Sequence, residues 1–326
     1  MSIITVHVSA GTSSIDPQIF GPTPISTSSE ILIVDSGGFV LDGVIEPGGQ
    51  EIVSGSDDGA EVETGGLQVV YGGVSDTHIF VGGEQDVYGS ATSTTITGGQ
   101  QVVETGGTAT GTTVLSGGSE TISAGGSDTS ATVDGGEQDV YGTAIGTTVD
   151  AGGLVIVENG GSASGATVNS GGTLEVFGGG FATSITFNPG AIFETGAGGV
   201  VSNTVISSGQ TVDIASGGLS TSTTIVSGGQ LDVLSGGLST TTKIGSLGKL
   251  DVSRGGSATG TTIDSGGAEI VSSGGSDLGA TLSGGKLDVL SGGSATSTTV
   301  DSGGLMIVES GTAVSGTSVN SSGVET

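Results

Sequence analysis

A unit of about 18–19 residues, closed by a Gly-Gly pair, recurs along almost the whole of this 326-residue chain. The peptides Gly229-Gln-Leu-Asp-Val-Leu-Ser-Gly-Gly237 and Gly285-Lys-Leu-Asp-Val-Leu-Ser-Gly-Gly293 are nearly the same, and Gly248-Lys-Leu-Asp-Val-Ser-Arg-Gly-Gly256 lies between them. The second Gly of the pair, or its equivalent, is read at Gly49, Gly66 and Gly83, through Gly190 and Gly209, to Gly304 and Gly323. A fixed step of this size marks a solenoid or an array, because one short unit cannot bury an apolar face without its neighbours. Early steps are shorter and less regular than later ones.

Each unit divides into two arms. The short arm, x-x-x-Val-x-x-Gly-Gly, places a β-branched residue at one phase, from Val53, Val70 and Val87 to Val271, Val289 and Val308. The long arm, x-Ala-Thr-Gly/Ser-Thr-Thr-Val-x-x-Gly-Gly, adds a second apolar column. That column is read as Ile96, Val114, Val133, Val149, Val168, Val205, Ile225, Ile244, Ile263, Leu282, Val300 and Val319. A smaller one runs through Ala91, Ala109, Ala144, Ala163, Ala258 and Ala295. Short Val/Ile/Thr runs bounded by Gly read as strands, no 3.6-residue period is present, and Gly supplies positive-φ corners. The expected fold is therefore all-β: a single-stranded parallel β-helix of about 15 coils of 18–19 residues. At about 4.8 Å per coil such a stack is roughly 70 Å long. Residues 1–36 break the pattern, with Ile3, Ile4, Val6 and Val8 in a short apolar run and Pro17, Pro22 and Pro24 behind it. They are expected to form an N-terminal capping segment, with the solenoid over 37–326 truncated at its C-terminus.

Composition fits a thin core: hydrophobic residues are only 33% of the chain, with 69 Gly and no Trp. Charge is one-sided, with 33 acidic residues against Lys243, Lys249, Arg254 and Lys286, for a net charge of −29. Nothing before position 243 can neutralise phosphate, so nucleic acid is excluded as a partner, and no 18-residue apolar stretch exists to insert in a membrane. The absence of Cys removes disulfides and thiol chemistry. His7 and His78 stand alone and the Gly-Gly-x-Gly-x-Asp calcium repeat is absent, so no catalytic residues, no metal site and no cofactor are expected. The N-terminus has neither a basic region nor a long apolar stretch, and so is not a Sec signal.

The alternation of x-Leu-Asp-Val-x-Ser-Gly-Gly with Ser-Ala-Thr-Gly-Thr-Thr-Val-x-Ser-Gly-Gly at a 19-residue step resembles the passenger repeats of AIDA-type autotransporters. These include diffuse-adherence and self-associating adhesins, and the resemblance covers residues 37–326. It implies a right-handed β-helix at the bacterial cell surface, adhesion or autoaggregation, and O-linked heptosylation of Ser or Thr. A glycosyltransferase is then the modifying partner, alongside self-association or a host or abiotic surface.

Two hydroxyl series stand out. Ser116, Ser170, Ser216, Ser227, Ser235, Ser265, Ser283, Ser291 and Ser302 precede Gly-Gly and are candidate glycan acceptors, although Ser is also simply a good turn residue. Thr95, Thr113, Thr132, Thr148, Thr167, Thr186, Thr224, Thr262, Thr281 and Thr299, with Thr204 among them, precede the long-arm apolar residue. Two-residue alternation turns that column outward. Thr259/Thr261 and Thr296/Thr298 extend it into a T-x-T array, the pattern of an ice-binding solenoid; β-propensity and hydroxyl ladders are the favoured account, since Lys243 interrupts the column. Asp213, Asp232 and Asp251 fall at one phase of successive units. The expected function is a non-catalytic extracellular repeat protein mediating adhesion, autoaggregation or biofilm matrix contacts. The alternatives are a spacer or self-assembling fibre that projects a C-terminal module, and a polysaccharide-active β-helix enzyme.

Overall fold

The computed structural model describes residues 4–9, 11, 13–15, 30–320 and 322–326. Within them every strand pairing named below is parallel, and the backbone divides into two compact units. The first comprises Met1–Ile156 with Gly161–Ala163, and the second Val157–Gly160 with Ser164–Thr326. Each unit is a stack of β-solenoid coils.

In the first unit a representative coil has three strands: Glu84–Val87, Ser90–Thr92 and Thr95–Ile96. Their partners one coil on are Gln100–Val103, Thr108–Thr110 and Thr113–Leu115, paired residue for residue. Period-2 alternation then builds inward columns. Val53, Val70, Val87, Val103, Ile122 and Val140 are fully buried in the first sheet, Ala91, Ala109 and Ala144 in the second, and Ile96, Val114 and Val133 in the third. Coil length varies at one corner. Tyr88-Gly89 joins the first two strands where the next coil uses the four residues Glu104–Gly107. The described part of the proposed cap joins the same ladders, since Ile4–Val8 pairs with Glu30–Val34 and Ser13–Ile15 with Phe39–Leu41. Pro17, Pro22 and Pro24, like Ile3, lie outside the described residues.

The second unit repeats this plan. Gln230–Val233 pairs with Lys249–Val252, Leu238–Thr240 with Ser257–Thr259, and Lys243–Ile244 with Thr262–Ile263. Leu231, Val233, Ile225, Ile244, Leu250 and Val252 are fully buried. Two expected core positions are corrected: Val319 is 45% exposed, and Val205 is 50% exposed, with Ile206 the fully buried residue that pairs with Ile225. Val205 and Ile206 are both β-branched, so pattern alone could not choose between them.

The Gly-Gly pair has two separate physical duties. At Ser265-Gly266-Gly267 the first Gly has φ +81°, which an L side chain adopts at a cost. The second has ordinary φ, but a Cβ there would lie 2.6 Å from the Ile244 carbonyl oxygen of the coil below. The second Gly is thus what lets one coil settle on another. Where Gln210 stands in its place, the stack opens. The structure corrects the reading at Gly190 and Gly209, which are first glycines with φ +85° and +77°. Ala191 and Gln210 occupy the second position. Between these coils only Glu194↔Asp213 and Thr195↔Ile214 remain paired, against four pairs between Thr173–Val176 and Ile192–Thr195. A groove of about 590 Å³ lies there, lined by residues including Ile192, Phe193, Glu194, Thr211 and Asp213.

Candidate functional site

The surface is built at the corners and on the outward strand positions. In the Leu115–Gly118 corner, the Gly118 amide donates to the Leu115 carbonyl at 2.8 Å, closing a turn whose central residues are Ser116 and Gly117. Ser116 therefore sits at the turn apex, with its hydroxyl in solvent. In the first unit Ser116 is exposed, and in the second so are Ser170, Ser216, Ser227, Ser235, Ser265, Ser283, Ser291 and Ser302. Eight of these nine serines lie in turns, and Ser283 ends the strand Thr281–Ser283.

The threonine series lies on the third sheet, beside the core column. Thr95, Thr113, Thr132 and Thr148 in the first unit are half-buried, their register being Thr95↔Thr113↔Thr132↔Thr148. In the second unit Thr167, Thr224, Thr262, Thr281 and Thr299 are half-buried, and Thr186 is exposed. Thr204 does not belong with them: it is 2% exposed, and Val205 takes the outward place opposite Thr186 and Thr224. The T-x-T array is also corrected. Thr261 and Thr298 are 1% and 0% exposed, because in Thr-Thr-Val the first Thr points inward with the opposite parity to the second. What reaches solvent is a single hydroxyl column, interrupted by Val205 and Lys243.

Carboxylates form further columns. Asp213, Asp232 and Asp251 are register partners. Gln230 Nε2 donates to Asp232 Oδ1 at 2.7 Å and to Asp251 Oδ2 at 3.2 Å, and Lys249 pairs with Asp251. Partial burial raises the Asp232 pKa; Gln230 opposes this, and Asp251 and Asp213 add to it. In the first unit Tyr71 and Tyr88 stack at 5.1 Å with both rings exposed, and Glu104 is the main influence raising the Tyr88 pKa. His7 lies 3.3 Å from Asp35, while His78 stacks on Phe80 and meets Thr97 Oγ1 at 2.8 Å. Among the described residues no three His, Cys, Asp or Glu side chains converge as a metal site.

Sequence reasoning missed a polar column inside the coils. The position two before the core Val of the short arm has the same parity as that Val. In the first unit it is Glu51, Gln68, Gln85, Gln101, Glu120 and Gln138, each no more than 1% exposed. Gln85 Nε2 donates to Gln68 Oε1 at 2.6 Å, Gln101 Nε2 bonds to Gln85 Oε1 and, at 3.0 Å, to Thr94 Oγ1, and Thr112 Oγ1 donates to Gln101 Oε1 at 3.2 Å. The inward threonines Thr94, Thr112 and Thr147 thus serve the Gln amides. Asp57 and Asp128, on the small-residue column, face Glu51 and Glu120 respectively; Glu269 and Asp277 repeat the pair in the second unit. Two-residue parity from the core Val was the signal that could have found this column.

Chemically, this surface offers hydroxyls and carboxylates that recur at fixed positions in many coils, with few cations and few aromatics. Comparison with known proteins places it. Residues 282–323 match the family model described as "Adhesin of bacterial autotransporter system, probable stalk". A solved structure of a TibC-catalysed, hyperglycosylated TibA fragment, residues 55–350, is 31% identical over 99% of this chain and 97% of that one, with a TM-score of 0.46. The identity over nearly full length, not the superposition, carries the relationship. The Dettilon tailspike protein is 12% identical, over 88% of this chain and 61% of its own, with a TM-score of 0.19, too slight a likeness to bear on this chain. No curated protein sequence matches. By the family-model match and this full-length identity, the chain belongs to the AIDA family of bacterial autotransporter adhesins.

Proposed function

We propose that this chain is a non-catalytic passenger at the bacterial cell surface, glycosylated on corner serines and acting in adhesion, autoaggregation or biofilm matrix contacts. The observation that carries the proposal is the exposed Ser at the turn apex of successive coils. A glycosyltransferase meets an exposed acceptor hydroxyl in coil after coil, and the related TibA fragment was hyperglycosylated by TibC. Repetition also suits weak adhesive contacts, since many engaged together bind far more tightly than one. The test is the intact mass of protein from its native host. Regular heptose- or hexose-sized increments support the reading, and an unmodified mass removes the glycosylated half of it.

A stalk reading is favoured by the description of the matched family. In it the coils hold a distal module away from the cell and grip nothing themselves. Deleting several coils separates the two. A stalk loses reach alone, whereas an adhesive surface loses cell–cell settling in proportion to the coils removed.

A further inference from the structure

Among the described residues six carboxyl groups lie inside the coils, each time as a Glu and an Asp of the same coil. Among the described residues, Asp replaces the small inward residue of the second sheet at Asp57, Asp128 and Asp277. In those same coils the inward short-arm position is Glu51, Glu120 and Glu269. All six side chains are no more than 2% exposed.

The first two pairs share one arrangement. Gln68 Nε2 donates to Glu51 Oε2 at 2.7 Å and to Asp57 Oδ2 at 3.0 Å. Gln138 Nε2 donates to Glu120 Oε2 at 2.7 Å and to Asp128 Oδ2 at 3.3 Å. One amide thus bridges both carboxyls, and the same oxygens are left over each time: Glu51 Oε1 with Asp57 Oδ1, and Glu120 Oε1 with Asp128 Oδ1. In the third pair all four oxygens lack a donor, as does Thr261 Oγ1 beside Glu269. A buried oxygen without a donor is costly, and two ionised carboxylates side by side in a dry interior are costlier still.

No cation comes to their relief. Leu32 and Gln68 flank Glu51, and Val40 and Val74 flank Asp57. Gln101 and Gln138 flank Glu120, and Ala109 and Ala144 flank Asp128. Leu250 and Leu287 flank Glu269, and Ala258 and Ala295 flank Asp277. Asp58, another anion, also acts on Asp57, and the amides of Leu278 and Ala280 favour ionised Asp277 without reaching hydrogen-bond geometry.

We propose that the three Glu–Asp pairs are internal proton-binding sites: each coil closes around a proton held by its pair, and the stack loosens when that proton is removed. A single proton lets one leftover oxygen donate to the other in each of the first two pairs, and gives the third pair its first donor. The electrostatics agree. Burial, reinforced by Glu51, pushes Asp57 up to about 9; burial pushes Asp128 to about 6 and Asp277 to about 7, and it raises all three glutamates. Their folded-state values lie above those of an unfolded chain, so the stability they contribute is complete below about pH 4 and is lost as pH rises through the folded values.

Infrared spectroscopy tests this on the native protein. At neutral pH, where surface carboxylates are ionised, the carbonyl stretch of a protonated carboxyl should be present. It should weaken in Glu120→Gln/Asp128→Asn and in Glu269→Leu/Asp277→Ala, the second of which copies the Leu and Ala of its flanking coils. Unfolding midpoints should fall with rising pH in the native chain, and less steeply in either double variant. No protonated-carboxyl band at neutral pH would overturn the proposal. So would a stoichiometric bound cation on elemental analysis, or pH slopes identical in native and variant proteins.

Discussion

Replacing Gly248 by Ala tests why the second Gly of each pair is there. Gly248 has ordinary φ, so its backbone suits Ala; the obstacle is the coil below, whose Ile225 carbonyl oxygen would lie 2.4 Å from the new Cβ. That distance is well inside contact, and backbone cannot swing aside as a side chain can. The coil must lift, as it does at Gln210, and the pairs Gln230↔Lys249 and Leu231↔Leu250 should be lost first. Two or three ladder hydrogen bonds at about 1 kcal/mol each, less about 0.5–1 kcal/mol gained from a stiffer unfolded chain, give a net loss of about 2 kcal/mol. Gly255→Ala is the matched control: its φ of +80° is strained for Ala, but its nearest neighbour is the Ser235 hydroxyl at 2.8 Å. It should cost about 1–2 kcal/mol with the ladder intact. Hydrogen exchange read by mass spectrometry distinguishes them, with faster exchange at Lys249 and Leu250 in Gly248→Ala alone. Unchanged exchange in that variant, or equal opening in both, refutes the reasoning.

Further expectations follow from the core and the surface. Leu250→Ala removes a fully buried side chain between equally buried neighbours and should cost about 2–5 kcal/mol, read by urea unfolding. Gln138→Leu takes the shared donor from Glu120 and Asp128 and should cost about 1–3 kcal/mol; an unchanged midpoint would mean that the amide bridge is not formed. Side-by-side association must overcome a net charge of −29, so settling rates should rise with added salt or Ca²⁺ as the screening length shrinks. Association strongest at low salt and neutral pH would contradict that mechanism.

Much of the fold was legible because Gly-Gly spacing and the recurrent Val describe the same coil independently. Val87 and Val103 could be assigned inward from phase alone, and the Ala column followed. The third column failed at Val319, which among the described residues is paired on one side only, and at Val205, where Val205 and Ile206 are equally apolar and only the stacking of Ile225 on Ile206 decides. The interior polar column was hidden by residue chemistry: Gln85 and Glu120 look like surface residues, and only parity with Val87 and Ile122 reveals them. Ala191 and Gln210 were hidden differently. A Gly stood next to each, and pattern matching accepted the first glycine as the second. The serine corners were legible as turns, but their presentation to solvent depends on which side of the corner the coil below occupies.

The central claim, parallel coils stacked in register with one corner hydroxyl above the next, is open to one direct measurement. The chain has no cysteine, so introduced thiols report unambiguously. Ser216 and Ser235 lie one coil apart at the same corner, where the Gly217 amide donates to the Gly236 carbonyl at 2.9 Å. Ser216→Cys/Ser235→Cys should therefore oxidise readily, since a spacing of about 4.8 Å lies within disulfide reach. Ser235→Cys/Ser291→Cys, three coils apart at about 14 Å, should not. Failure of the first pair to cross-link, or equal cross-linking of the second, would contradict the stacked register on which the hydroxyl columns rest.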